Sequence, residues 1–243
     1  MQQVSGKGLR WATGFVTLSL GLWTVPLVGQ TPVAPAHPAI PSDAAPPSAT
    51  MVVWTLGSIS RIGGCVPTIL GAPRVDEGSR AVIFNGVDEG IVVPVNPIAG
   101  WAQFTIEVLF EPAAGGAEAQ RFVHLEDERG ARALLELRSL EDGRWCLDTF
   151  LFSGTSRLTL IDRARLHPAG RWYWVALRYD GRRMASFVNG AAELEGEIAV
   201  APLAAGRTSL GVRLNQISWF KGAIREVRFH STALAPEQLQ RAP

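Results

Sequence analysis

The sequence is poor in cysteine and lysine, and each shortage excludes something. Its 2 cysteines, Cys65 and Cys146, form no Cys-x-x-Cys pair, which argues against a structural zinc site. Two cysteines cannot establish their own proximity, so a bridge and a buried free Cys146 both stay open at this point. Lys7 and Lys221 are the only lysines, the other basic residues are arginines, and the formal net charge is +1. With no basic block, the chain has no electrostatic footprint for nucleic acid. No Gly-x-Ser-x-Gly elbow occurs, so serine-hydrolase chemistry has no local signature.

What is present begins with a charge-flanked apolar run. Met1–Arg10 carries Lys7 and Arg10, and Trp11–Val28 is uncharged and apolar, which reads as the n- and h-regions of a secretory signal. Leu27-Val28-Gly29 or Ala34-Pro35-Ala36 offers small-residue cleavage sites. An uncleaved anchor is the competing reading for residues 1–30, since the run approaches the ~18 residues of a membrane span. No cysteine follows the run, which argues against a lipoprotein. Residues 31–50 then hold Pro32, Pro35, Pro38, Pro41, Pro46 and Pro47 among alanines, the composition of an extended linker. The folded domain is expected over residues 51–243, and the compartment is secreted, periplasmic or cell-envelope.

From Met51 onward the chain is a succession of short strands separated by turn chemistry. Residues 80–94 hold two β-forming runs, Ala81–Phe84 and Ile91–Val93, around Asn85-Gly86, which predicts a tight hairpin. Gln103–Phe110 alternates, with Phe104, Ile106, Val108 and Phe110 on one face. Its other face carries Glu107, with Glu111 beyond, read as solvent-facing carboxylates. Arg171–Tyr179 is apolar on both faces, as in a central strand covered on both sides; Trp172 and Trp174 are read as core. Asp142-Gly143, Asp180-Gly181 and Asn189-Gly190 mark further turns. Only Pro236–Arg241 has a helical start, with proline in the first turn. The expected fold class is an all-β sandwich or jelly roll of two antiparallel sheets with a short C-terminal helix.

Four stretches carry a family resemblance: Val82-Ile83-Phe84-Asn85-Gly86-Val87-Asp88-Glu89-Gly90; Phe104-Thr105-Ile106-Glu107; Arg171–Gly181 running on to Phe187-Val188-Asn189-Gly190; and Phe220–Phe229. Together they resemble the laminin-G-like, concanavalin A-like jelly-roll domains of secreted bacterial proteins, over about Val52 to the C-terminus. The resemblance implies a fold that hosts lectins, glycan-binding modules, adhesion domains, glycoside hydrolases and polysaccharide lyases, and fold alone does not choose among them. It also implies a structural calcium near the opening turn, held by Asp88, Glu89 and Glu226. Asn85 and Arg225 stand where the family commonly has aspartates, and the alternative for that site is an arginine–carboxylate pair or a solvated turn.

Candidate chemistry is sparse. The Glu-x-Asp-x-x-Glu strand signature of concanavalin A-like hydrolases is absent, and Glu126-Asp127-Glu128 before Arg129-Gly130 reads as a turn. His124, His167 and His230 are candidates for proton transfer, His124 with Tyr173 in a lyase-like pairing, against hydrogen-bonded structural roles. Trp101 and Trp219 sit beside loop-forming residues. With Asn215, Gln216 and Lys221, the latter would suit a sugar, the indole stacking on the ring face and the amides bonding hydroxyls. The tentative ligand set is therefore Trp101, His124, Asn215, Trp219 and Lys221. The favoured function is a non-catalytic glycan-binding or adhesion module whose partner is a polysaccharide or glycoconjugate. The alternatives are a carbohydrate-active hydrolase or lyase and a structural, protein-interaction domain of the envelope.

Overall fold

The computed structural model describes residues 49–242; the signal or anchor segment and nearly all of the linker lie outside the described residues. Among the described residues there are sixteen strands: β1 Met51–Thr55, β2 Thr68–Leu70, β3 Arg74–Asp76, β4 Ala81–Asn85, β5 Gly90–Val93, β6 Phe104–Pro112, β7 Ala119–Asp127 and β8 Arg132–Ser139. They continue with β9 Arg144–Ser153, β10 Ser156–Ile161, β11 His167–Pro168, β12 Tyr173–Tyr179, β13 Arg183–Val188, β14 Ala191–Glu197, β15 Gly206–Leu210 and β16 Lys221–His230.

One sheet runs β14-β13-β12-β6-β16-β4-β3 with β1 also on β16; the other runs β10-β9-β8-β7-β15-β5-β2 with β11 on β9. Every pairing is antiparallel. The sandwich core follows from the alternation: Phe104, Ile106, Val108 and Phe110 of β6 are all buried in one cluster with Phe122, Trp145, Tyr173 and Phe220. Phe110 stacks on Phe122 at 4.4 Å and meets Trp145 edge-on at 5.2 Å, aromatic contacts between the two sheets.

The turn signals met different fates. Asn189 and Gly190 both take positive φ (49° and 74°) between the paired strands β13 and β14, the requirement of a type I′ hairpin. Asn85-Gly86 does not make a hairpin. β4 lies in the first sheet and β5 in the second, so the segment is a corner that carries the chain between sheets. The reason is local: only Gly86 has positive φ (79°), and Asn85 Oδ1 instead accepts from the Val87 and Asp88 amides at 2.8 and 3.2 Å. That Asx-type turn is wider than a two-residue hairpin loop.

The C-terminal helix is a single 3₁₀ turn, Pro236–Gln238. The chain re-extends at Leu239, which is buried with Ala176, Ala185 and Phe187 on the outer side of the first sheet. This tail explains why β12 is apolar on both faces. It also corrects the reading of Glu107, which is buried rather than solvent-facing: it accepts from Gln240 N at 2.7 Å and contacts His230 Nε2 at 2.9 Å. Trp174 is core, beneath the Arg228 guanidinium at 4.8 Å, whereas Trp172 is only half-buried and precedes the strand. Cys65 and Cys146 are both free, the latter buried on β9.

Candidate functional site

The outward side of β7–β10 and β15 is recessed, and the strand registers order its side chains into rows. One row reads Arg207, Glu126, Arg132, Phe152, Arg157 across β15, β7, β8, β9 and β10; the next reads Ser209, His124, Leu134, Phe150, Thr159. A third sets Arg121, Glu136 and Asp148 side by side. Period-2 alternation produces this face: Ala133, Leu135 and Leu137 enter the core, so Arg132, Leu134, Glu136 and Arg138 must point away from it.

Polar groups in the third row are cross-braced. Arg121 Nε lies 2.9 Å from Glu136 Oε1, and its Nη1 donates to Ser218 Oγ at 2.7 Å. Arg138 Nη2 reaches Glu136 Oε2 at 3.4 Å and also donates to Asp148 Oδ2. Burial raises the Glu136 carboxyl to about 6; the neighbouring Asp148 adds to this, and Arg121 and Arg138 oppose it. Beside them Arg132 lies over Phe150 and Phe152, its guanidinium carbon 5.4 and 4.7 Å from the two ring centroids. The two rings are themselves stacked at 6.5 Å. All of these except Phe152 and Ser218, together with Leu134, Thr159 and Arg213, line a recess of about 220 Å³.

His124 sits beside Leu134 in the β7–β8 register, does not line the recess and is not an accessible base. It is buried, its Nδ1 accepts from the Leu214 amide at 3.1 Å, and its Nε2 faces Glu126 Oε2 at 3.3 Å. Burial first, then the charges of Arg213, Arg132, Arg121 and Arg207, depress its pKa to about 3. Tyr173 lies elsewhere, packed against Trp145 and His167, its hydroxyl donating to Pro168 O at 2.8 Å, so the His124–Tyr173 pairing is not formed. His167 and His230 contact Glu193 and Glu107 at 2.7 and 2.9 Å.

The connection from β15 to β16 ties other expected residues to the same neighbourhood. It presents Arg213 to the recess, Leu214 to His124 and Ser218 to Arg121. Asn215 is exposed on this loop, and half-buried Trp219 lies against Gly90, where an added Cβ would come 3.4 Å from the indole. Lys221, at the start of β16, donates its amide to Gln120 Oε1 at 2.8 Å and reaches Gly115 O with Nζ at 3.4 Å. Trp101 stands apart, lining a separate cleft of about 520 Å³ with Gln103, Asp180 and Ser231. The sequence reading singled out this loop and His124 but not Arg121, Arg132, Glu136, Arg138, Asp148 or Arg213, the residues that line the recess. Alternating charge on β8 was the available signal; the pairing of Glu136 with Asp148 needs a register that sequence does not supply.

The carboxylates assigned to calcium are not gathered into one ligand set. Asp88 Oδ1 accepts from Asn85 Nδ2 and Glu89 Oε2 from Asn85 N, both at 2.8 Å. Glu226 pairs with Arg228 and sits opposite Thr55. The register puts Lys221, not Glu226, opposite Asn85, leaving Glu226 roughly 15 Å further along β16 at about 3.3 Å per residue. Among the described residues no group of three or more His, Cys, Asp or Glu is placed to hold a metal ion, so the residues present do not fit the ion.

The sequence profile of the concanavalin A-like lectin/glucanases superfamily matches residues 85–240, and the chain belongs to that superfamily. A comparison with curated proteins finds no match. Among solved structures, domain 4 of the extracellular arabinanase AbnA from Geobacillus stearothermophilus, in complex with arabinotriose, superposes with a TM-score of 0.52 at 19% identity, over 78% of this chain and 96% of that one. A heptameric SAP-like pentraxin from Limulus polyphemus gives 0.51 at 17% identity, over 65% and 78% of the two chains. The Trypanosoma rangeli sialidase in complex with sialic acid gives 0.56 at 14% identity, over 76% of this chain and 31% of that one. At these identities the likeness is one of fold.

Proposed function

We propose that this chain is an exported glycan-binding module whose ligand occupies the recess on the outward side of β7–β10. The observation that carries the reading is the recess itself: arginine forks held by carboxylates and a serine, next to the stacked Phe150–Phe152 pair. Saccharides are bound by rigidly placed multidentate donors combined with an aromatic surface for the apolar sugar face. The sugar complexes of fold relatives, arabinotriose with the arabinanase domain and sialic acid with the sialidase, support a carbohydrate ligand. Export rests on the Trp11–Val28 segment, and N-terminal sequencing of the mature protein tests it: a start near Gln30 or His37 supports cleavage, and an intact Met1 supports the anchor.

One observation favours a second reading, glycoside hydrolysis. Glu136 and Asp148 reach the same Arg138 nitrogen, so their carboxylates lie close together, and burial holds Glu136 protonated up to about pH 6, as a general acid requires. Against it, both acids are engaged by arginine rather than presented to a substrate. Retention and product release on an immobilised panel of neutral and acidic polysaccharides separate the readings. Binding without product, abolished by filling the recess with Thr159→Trp, is expected. Product formation lost in Glu136→Gln establishes the hydrolase, and retention indifferent to Thr159→Trp removes the site from the recess.

A further inference from the structure

The charge of the recess says more about its occupant than its shape does. Its lining contains Arg121, Arg132, Arg138 and Arg213 against two acids, Glu136 and Asp148. The acids are committed: Glu136 to Arg121, Asp148 to Arg138, with Glu136 also near Arg138. Arg132 and Arg213 have no carboxylate within ion-pair distance among the described residues. Glu126 stands opposite Arg132 in the β7–β8 register, yet its contact is with His124 Nε2.

The Arg132 guanidinium is nonetheless fixed. It lies over Phe150 and Phe152 and spends one hydrogen bond, from Nη1 to Gly130 O at 3.1 Å. A guanidinium carries five N–H donors, so most of this fork stays available while its orientation is set by the rings. Arg213 enters from the β15–β16 connection and makes no side-chain hydrogen bond or ion pair among the described residues. After burial, Arg213 and Arg132 are the leading charges that depress the pKa of buried His124.

We infer that the ligand is an acidic glycan, whose sugar-borne oxyanion is taken by Arg132 and Arg213 while Phe150 and Phe152 line the approach. This deepens the glycan-binding reading and rests on it. The shared chemistry is a planar or tetrahedral oxyanion attached to a sugar, either a uronate carboxylate or a sulfate ester, both of which accept paired N–H donors from an arginine fork.

Affinity measurements on the full chain test this with polygalacturonate oligomers (carboxylate only), dextran sulfate (sulfate only), neutral galactan and dextran oligomers, and single-stranded DNA as a non-sugar polyanion. One of the two acidic glycans is expected to bind at least about tenfold tighter than its neutral counterpart, the worth of one charge-assisted hydrogen bond, and to weaken with added salt. Arg132→Gln and Arg213→Gln should each lower that affinity by about tenfold or more and leave far-UV circular dichroism unchanged. Arg213→Gln keeps the test valid if removing Arg132 from the two rings perturbs folding. Which acidic glycan binds identifies carboxylate or sulfate as the source. Neutral oligomers binding as tightly as acidic ones, with both variants unaffected, overturns the inference and leaves glycan binding standing. Binding to no glycan overturns both. DNA binding equal to acidic glycan, lost in the same variants, replaces the inference with a general polyanion surface.

Discussion

Glu136 and Asp148 face each other across β8 and β9 and share one arginine, Arg138. Two buried acids on adjacent strands would repel if both were ionised without compensation. The structure answers with Arg121 on the far side of Glu136 and with a Glu136 pKa raised to about 6, chiefly by burial. The pair therefore holds the arginine forks of the recess in place.

That raised pKa has a definite sign in stability. Between about pH 4.5, the ordinary glutamate value, and about pH 6, native Glu136 keeps a proton that the unfolded chain releases. Stability from this group is full below the lower limit and declines as pH rises through the window, by about 2 kcal/mol at 1.4 kcal/mol per pKa unit. Urea denaturation at pH 4.5, 5.5 and 6.5 should show the native chain losing stability relative to Glu136→Gln as pH rises, the oppositely signed His124 contribution being common to both. Identical profiles would show that Glu136 titrates normally.

His124 acts in the opposite direction. Its folded pKa of about 3 lies below the ordinary 6.5, so above pH 6.5 both states are neutral and its contribution is intact. As pH falls from 6.5 toward 3, the unfolded chain takes up a proton the native ring refuses, and stability is lost. Ring ¹⁵N shifts should report the Nε2–H tautomer, set by the Leu214 amide on Nδ1, unchanged down to pH 5. The acid-side loss should shrink in His124→Gln. A ring that titrates near 6.5 would refute the buried, neutral assignment.

Fold and site were unequally legible in the sequence. The alternation of Phe104 to Phe110 and the doubly apolar Tyr173–Tyr179 are local patterns with one physical solution, a packed sandwich, and both hold. Asn189-Gly190 makes its hairpin because both residues adopt positive φ; Asn85-Gly86, the same dipeptide, turns a corner between sheets because Asn85 spends its side chain on the following amides. A dipeptide cannot announce which option its neighbours will support. The arginine–acid face was hidden for a different reason: Arg121, Glu136 and Asp148 lie on three strands, and only the register makes them neighbours. Glu107 looked solvent-facing because the element that buries it is the C-terminal tail, more than a hundred residues away.

That tail is predicted to be part of the folding unit. Leu239 is buried against Ala176, Ala185 and Phe187, and the Gln240 amide satisfies Glu107. Leu239→Ala should cost about 2 kcal/mol, the low end for a buried leucine, because the tail can settle partly into the space. Removing residues 234–243 should cost more, since it also uncovers the apolar strip and leaves the Glu107 carboxylate without its amide donor. Urea midpoints of the two variants against the native chain check this; a truncation no worse than Leu239→Ala would mean that the Glu107 contact contributes nothing.

The Asn85 corner gives the last expectation. Asn85 accepts from Val87 N and Asp88 N, donates from Nδ2 to Asp88 Oδ1, and gives its own amide to Glu89 Oε2. Four hydrogen bonds close the turn, and three of them use the asparagine side chain. Asn85→Ala removes those three from an exposed site where water replaces part of the loss, so the cost should be about 1 kcal/mol, as for an Asx cap. Asn85→Asp keeps the acceptor for the two amides but opposes Asp88 with a second carboxylate. It should therefore fall between alanine and the native residue, and salt should narrow its deficit. Added calcium supplies the remaining contrast: because Glu226 lies far along β16, stabilisation of Asn85→Asp by calcium should be no greater in the Glu226-containing chain than in an Asn85→Asp, Glu226→Gln double variant. A calcium-dependent gain in the melting temperature that disappears with Glu226→Gln would show that the two strands do converge on one ion, against the register seen here.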